Sequence, residues 1–565
     1  MRRPAPAALA LALACFLPLC RGAANGGAEK GKVGGAEEPP LRCDVLIAGG
    51  STAALSAALT SAVAQPTLTT CLTEPTDELG GQMAFNPAID FGPKQPEPPS
   101  VEWGSLVAAV TDKTSACWVS KSCYPPARLA AWVEGRLAAL PNLRVLRRTT
   151  VRAAIREPAT GRVTALTLVT RTPLDSAAEW DARLSDQLPD WYSPSPSTRF
   201  RKQVRTVSAA VVVEATELGD VLATAALPHK QGVEVPTEGS LVTDDGISQS
   251  ICFTFYMEML AKAAPTPDPA PAGNAWTSSG AKPFWGSAPE GSCCCGGANA
   301  RPDNSRTCKG QPINGSCLWP QQCSWGGVWR YRRSTKGSGP EVKELGGVFA
   351  GDVRVMLSGF VTLSVSLTWK SLQVAMINWG HGNDMAAANA FLPSKDARAS
   401  AAKQAWAGGV NTTAVRMAED RAYGWFHEMA TSGGSSLNDP APTPPTARLV
   451  INRNYSGTGN GLVKFFYVRD TRRSSAGLGG FRLRHEMMMA GPGHEEYGIA
   501  FNDSIGLGSY NFDVKPGEGM GAANGGPRRL PDYMWNFTTN TGLVIRHDTA
   551  GIWAAFFSRW QRYRC

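Results

Sequence analysis

A short apolar run, Asp44–Ala48, leads directly into Gly49-Gly50-Ser51-Thr52-Ala53-Ala54. The chemistry open to such a turn is phosphate binding, because a tight strand-to-helix turn aims the amides of a helix N-terminus at an anion. In the full dinucleotide pattern, one glycine permits the turn, a second lets the backbone approach phosphate, and a third lets the helix pack on the strand. Gly49 fills the first place, Ser51 stands at the second and Ala54 at the third. Ser51 is small and has a hydroxyl that could donate to a phosphate, and alanine is accepted at the third place. Alone, the turn reads as well as an ordinary βα connection. Glu74 adds to it: it lies 24 residues after Gly50, at the end of the next β-branched run, where an acidic side chain accepts ribose hydroxyls. Gly80, Gly81 and Gln82 follow, and a glycine pair there lets backbone amides come close to a ligand. Farther on, "VVVEATELGDVLATAALP" places Thr216, Glu217, Gly219 and Asp220 just past a buried strand.

Other residues could act on a substrate. Arg469, Arg472 and Arg473 in "YVRDTRR" could anchor a carboxylate or phosphate, or form a solvated basic turn with an ion pair to Asp470. His381 and Asp384 in "NWGHGND" could make an acid/base pair, or a polar loop with a capping aspartate. Cys117 and Cys123 flank "WVSKS", a spacing that fits a structural disulfide better than a redox pair. The tryptophans of "CSWGGVWRYRR" could stack on a sugar ring or pack in a core.

The elements that must hold these residues follow from periodicity. Asp44–Ala48 reads as a buried strand, Ser51–Val63 as a helix and Thr67–Thr73 as a second strand, which together make a βαβ unit. Residues 125–140 have helical spacing. "LRVLRRTTVRAAIREPATGRVTALTLVT" alternates around a turn at Pro158–Gly161 and reads as a three-strand antiparallel meander. Residues 173–203 form an excursion before a further buried strand, Thr206–Glu214. Residues 265–340 form a Cys-rich insertion, Lys395–Met429 is helical in pattern, and 447–515 is strand-rich.

At 565 residues, 43% hydrophobic and 18% charged, the chain has the composition of a globular protein of several domains. Its net charge of +9 is spread thinly, so no nucleic-acid partner is expected. Arg2 and Arg3, the apolar run Ala7–Leu19 and the small residues Gly22–Ala24 read as a secretory signal over 1–23. A disordered leader over 24–40 follows, and no integral membrane segment does. Six of the 14 cysteines fall between Cys293 and Cys323 without a histidine, which favours disulfides over zinc, and no metal site is expected. Sequons at Asn314, Asn411, Asn454, Asn502 and Asn536 suggest a glycoprotein of the lumen or the cell exterior.

"DVLIAGGSTAALSAAL", "TEPTDELGGQMAF", "ACWVSKSCYPP", "VVEATELGDVLATAALP", "QVAMINWGHGND", "FYVRDTRRSSAG" and "DSIGLGSYNFDVKP" together resemble the FAD-dependent oxidoreductases of the glutathione-reductase-like, two-dinucleotide-binding-fold type. The match is to a branch whose substrates are mostly unassigned. The resemblance implies an α/β fold: a Rossmann-like FAD-binding domain with a β-meander over 41–240, and a mixed α+β substrate domain over 241–515. It implies FAD, with Gly49, Gly50, Ser51, Thr52 and Ala53 around the pyrophosphate and Glu74 on the ribose. Gly80, Gly81 and Gln82 would lie beside the flavin, Val151 against the adenine, and Thr216 over the adenosine half. Arg472, Arg473 and His381 are the candidates for work on a small polar or carbohydrate-like substrate. Members of the group end with a Gly-Arg strand and a helix facing the flavin, and no such segment is found in 516–565, which reads as an atypical end or a truncated one. The competing expectation is a non-catalytic glycoprotein binding module that keeps the fold. A hydrolase or lyase has no G-x-S-x-G elbow or metal cluster behind it.

Overall fold

The structure is a computed structural model. It describes residues 41–85, 101–110, 123–237, 240–244, 251–259, 307–308, 311–312, 373–378, 383–385, 390–402, 406–431, 449–469, 471–474, 504–511 and 540–546. All of these belong to one unit, Glu38–Cys565.

Strand β1 (Leu41–Ala48) ends in a sheet interior, with Leu46, Ile47 and Ala48 fully buried. Helix α1 (Thr52–Ala64) follows after three residues and buries nearly every face, which its alanines permit by letting it lie close on the sheet. It stops before Pro66, whose ring disfavours helical backbone at Gln65. The chain returns as β2 (Thr70–Thr73), parallel to β1 with Leu46 opposite Cys71. A disulfide joins Cys43 to Cys71 across this pair. The expected βαβ unit is present, with its second strand starting three residues later than expected because residues 66–68 turn.

Helices α2 (Gln82–Phe85), α3 (Val101–Val110) and α4 (Pro126–Ala138) come next. Proline suits the first turn of α4, where its missing N–H has no partner to lose. Then β3 (Leu143–Leu146), β4 (Thr149–Arg156), β5 (Val163–Pro173) and β6 (Phe200–Glu214) complete a six-stranded sheet of order β3-β2-β1-β6-β5-β4. β3, β2, β1 and β6 are mutually parallel; β4, β5 and β6 are antiparallel.

This corrects the expected meander. Residues 143–146 are its predicted first strand, yet they form the outer parallel strand beside β2. The break is at Arg148, which adopts a left-handed backbone with φ 53° and re-aims the chain. The end of β2 lies in the fork so made: the Glu74 amide donates to the Leu146 carbonyl, and the Thr149 amide to the Glu74 carbonyl. The third strand of the actual meander is β6, and it serves both halves of the sheet. Its first part pairs with β5, its second runs beside β1 from Leu41–Val207 to Ala48–Glu214.

The excursion between β5 and β6 carries helix α5 (Leu184–Tyr192), which buries Trp191 and Tyr192. After β6 comes the short helix α6 (Asp220–Thr224). The described part of the later chain mixes sheet and helix as expected. Strand β7 (Phe255–Met259) lies between β8 (Gln373–Ile377) and β9 (Leu449–Ile451), all antiparallel. The predicted helix over Lys395–Met429 is two helices, α7 (Ser394–Ala402) and α8 (Thr412–Thr431), separated by a turn in which Gly408 and Gly409 have positive φ. The region expected to be strand-rich, 447–515, holds β9, a helical turn at Arg453–Ser456 and a strand, 504–511, which pairs antiparallel with 540–546 beyond it. Among the described residues, no helix is long and apolar enough to cross a membrane.

Candidate functional site

At the C-terminal ends of β1, β2 and β6 a cavity opens. Open parallel sheets bind ligands at this edge, where neighbouring strands send their connections apart. Gly49, Gly50 and Ser51 line its base, Glu74 and Pro75 one side, and Thr216, Glu217, Leu218 and Asp220 another. Thr149, Thr150 and Val151 line it from β4, and Gly81 and Phe85 from the segment after β2.

The glycines are there for space. Gly49 has φ 102°, and a Cβ on it would strike the Ala215 carbonyl and come within 2.6 Å of the Thr216 Cα. A Cβ on Gly50 would run into the Glu74 carboxyl, and one on Gly81 into the Glu217 carboxyl, 2.9 Å from the Ser51 Cα. The Gly80 amide donates to the Gly50 carbonyl at 2.9 Å, and the Thr52 hydroxyl to the Gly80 carbonyl at 3.0 Å. The two glycine turns are therefore stitched together. Thr52, Ala53, Gly80 and Gln82 shape this base from behind rather than lining the cavity.

Ser51 departs from its expected use. Its Oγ caps α1, accepting from the Ala54 amide at 3.1 Å, and donates to the Ala215 carbonyl at 2.7 Å. Its proton thus ties the β1–α1 turn to the exit of β6 rather than facing a phosphate.

Glu74 is buried, and its Oε1 accepts from the Thr76 amide at 2.6 Å and the Thr76 hydroxyl at 2.7 Å. Burial lifts its carboxyl to about 8 against these bonds. Glu214 accepts from the amides of Thr216, Val221 and Leu222 and so organises the turn into α6. The Thr216 hydroxyl accepts from the Asp220 amide at 2.7 Å. Asp220 Oδ2 accepts from the Tyr192 hydroxyl at 3.0 Å. Burial, then repulsion from Glu214, raises Asp220 to about 7; burial raises Glu217 to about 7. The cavity lining includes no lysine, arginine or histidine.

Sequence reasoning missed the roof. Tyr192 from the excursion and Phe465 from the later chain close over the cavity. Phe465 stacks on Trp191 at 6.4 Å and on Phe466 at 4.6 Å. The buried Arg171 lies 4.2 Å over the Trp191 ring and donates to the Pro75 carbonyl. No local spacing marks these residues, because they arrive from strands and loops far apart in sequence.

Of the predicted substrate residues, Arg472 has a described side chain, and it does not line the cavity. Arg472 is buried, and its Nη1 donates to the carbonyls of Leu218 at 2.6 Å and Gly408 at 3.1 Å. Its guanidinium lies 5.1 Å from both the Phe391 and Trp406 rings. It joins the α6 turn to the α7–α8 turn. Arg473 pairs through its backbone with Lys230, and its side chain lies outside the described residues, as do His381, Cys117 and Asp470. Asp384, the expected partner of His381, accepts from Arg469 at 2.9 and 3.0 Å. Cys123 is disulfide-bonded.

An FAD-type dinucleotide fits this donor set. Glu217 Oε1 and Asp220 Oδ1 are enclosed oxygens of the cavity lining without a partner, ready to hydrogen-bond a dinucleotide, and the cradle at Gly50 and Gly81 is one that a Cβ would fill.

Residues 44–182 match the family described as FAD dependent oxidoreductase, and FAD is the cofactor that match supports. Among solved structures, THI4 of Thermovibrio ammonificans is similar at 14% identity over 35% of this chain and 69% of that one, with a TM-score of 0.23. L-proline dehydrogenase from P. horikoshii matches at 17% identity over 35% of this chain and 25% of that one, TM-score 0.17. Thioredoxin reductase of T. acidophilum matches at 15% over 34% and 38%, TM-score 0.16. No curated protein matches the chain.

Proposed function

We propose that this chain, whose residues 44–182 carry the FAD dependent oxidoreductase pattern, is a secreted enzyme that oxidises a small polar or carbohydrate-like substrate. The observation that supports this best is the cavity where Gly49–Ser51 meets Glu74 and Thr216 at the C-terminal edge of the parallel strands. When bound, FAD supplies the hydride-accepting ring. The chain's own residues hold and enclose. The α1 N-terminus faces the pyrophosphate, Glu74 takes the ribose hydroxyls, and Val151 flanks the adenine. Tyr192 and Phe465 exclude water from above. Gln82, whose Nε2 donates to the Val468 carbonyl at 3.1 Å, ties the segment after Gly81 to the later chain, where the substrate would be held. Export is supported by the amino-terminal signal pattern and by the cysteines already committed to disulfides.

The test is flavin content. The purified full chain is expected to carry stoichiometric FAD, released by heat and identified by chromatography, and to reduce oxygen or a dye with a member of a polar-substrate panel. A protein with no flavin that takes up none when FAD is added would leave the binding-module reading in its place.

A further inference from the structure

The position of Glu217 goes beyond cofactor identity. Its carboxyl lies against Gly81 and Ser51, so that a Cβ on Gly81 would run into Oε1. That is the mouth of α1, a 13-residue helix, where a pyrophosphate would sit. The carboxyl accepts from the Gln82 amide, while Oε1 is enclosed and has no partner. A second acceptor, Oδ1 of the buried Asp220, is also without a partner and lines the same cavity. An incoming pyrophosphate brings two negative charges into a cavity lined by three carboxyls and no cationic side chain.

We propose that Glu217 holds the anion place of α1 in the free protein and takes up a proton as FAD enters, so that its carboxylic acid donates a hydrogen bond to the pyrophosphate. This rests on the FAD reading and adds a binding role and a pH control to it. The proton comes from solvent, and no covalent bond is made.

The surroundings are consistent with it. The charge of Glu217 in turn raises Glu74, just past the end of β2. Asp220 on α6 answers to Glu214 on β6, Tyr192 on α5 and Arg472 from the later chain, and Arg472 spends its Nη1 on carbonyls. Burial already brings Glu217 to about 7, so protonating it near neutrality costs little. Below that value the cavity admits an anion; above it, each binding event must draw in a proton, and affinity falls toward about tenfold per pH unit.

The experiment titrates FAD into flavin-stripped full-length protein from pH 5.5 to 9, following quenching of flavin fluorescence. Circular dichroism confirms folding at each pH. For the wild type, the Kd is expected to be flat at the acid end and to rise toward tenfold per unit above about pH 7. Glu217→Gln keeps a donor without a charge. It should bind about as well as wild type at pH 6, at least tenfold better at pH 8.5, and with little slope. Asp220→Asn should keep the wild-type slope. Calorimetry in buffers of different ionisation enthalpy should count close to one proton taken up at pH 8.5 by the wild type and close to none by Glu217→Gln. A Glu217→Gln protein that keeps the wild-type slope, or that binds FAD more weakly at every pH, overturns the proposal while leaving the FAD reading intact. Failure of all three proteins to bind FAD at any pH removes both.

Discussion

Glu74 shows how one residue serves two demands. Its carboxyl must be available to a ribose, yet it sits where water does not reach, and Thr76 satisfies one oxygen with two hydrogen bonds. Truncation to alanine removes the ribose acceptor and strands the Thr76 donors. With its carboxyl lifted to about 8, Glu74 is a neutral acid at pH 7, and a neutral hydrogen bond contributes about 0.5–1.5 kcal/mol, so Glu74→Ala is expected to weaken FAD binding about 2- to 10-fold at neutral pH, read by equilibrium titration. Glu74 was legible in the sequence because its distance from the glycine turn is set by a single helix and strand. Gly49 was legible for a similar reason: only a residue without a Cβ fits under the Ala215 carbonyl. Arg472 was legible as important but not in its role. A guanidinium among arginines reads as an anion anchor, whereas here it is consumed by carbonyls and rings that the sequence does not bring near it.

At the scale of elements, the β1–α1 unit depends on Ser51 more than on a third glycine. The side chain caps the helix and hooks the carbonyl after β6 in one arrangement. Loss of an N-cap costs about 1 kcal/mol, and a buried carbonyl left without its donor adds to that. Ser51→Ala is therefore expected to lower stability by about 1–3 kcal/mol in urea unfolding, with FAD weakened through the looser turn. The meander was misplaced by one strand for a physical reason. Alternation with period two is the same for a parallel edge strand and an antiparallel one. What separates them is the backbone at Arg148, and a left-handed arginine carries no mark in sequence. The helix over Lys395–Met429 was read through its break, although Gly408-Gly409 offered a signal.

At the scale of the whole molecule, the cofactor region and the later chain are held by buried charge. Arg472 reaches Leu218 and Gly408, and Arg183 and Ser185 reach Asp420 and Glu419 on α8. Arg472→Ala should cost about 3 kcal/mol, since it leaves the Leu218 and Gly408 carbonyls without their donor and empties the space between the Phe391 and Trp406 rings. Lysine should not rescue it, because one ammonium cannot serve two carbonyls while stacking between two rings. Thermal unfolding of both variants checks this. The raised carboxyls make a second prediction. Glu74, Glu217, Asp220 and Glu419 all hold protons in the folded protein more tightly than in the unfolded chain. Their contribution to stability is complete below their unfolded values near 4.5 and 3.8, and is lost as pH rises through about 7 to 8. From these groups, flavin-free protein should melt highest near pH 4 and lose stability steadily toward pH 8, as followed by circular dichroism.

The double service of β6 also bears on how the chain is made. The Ser51 hydroxyl finds its acceptor 164 residues downstream, and β1 gains its second neighbour from the same distant strand. A ribosome must deliver all of that before the founding strand is closed on both sides. For that interval, one edge of β1 stands open, a template for any passing strand. The fold thereby makes its own early synthesis the time of greatest need for a chaperone.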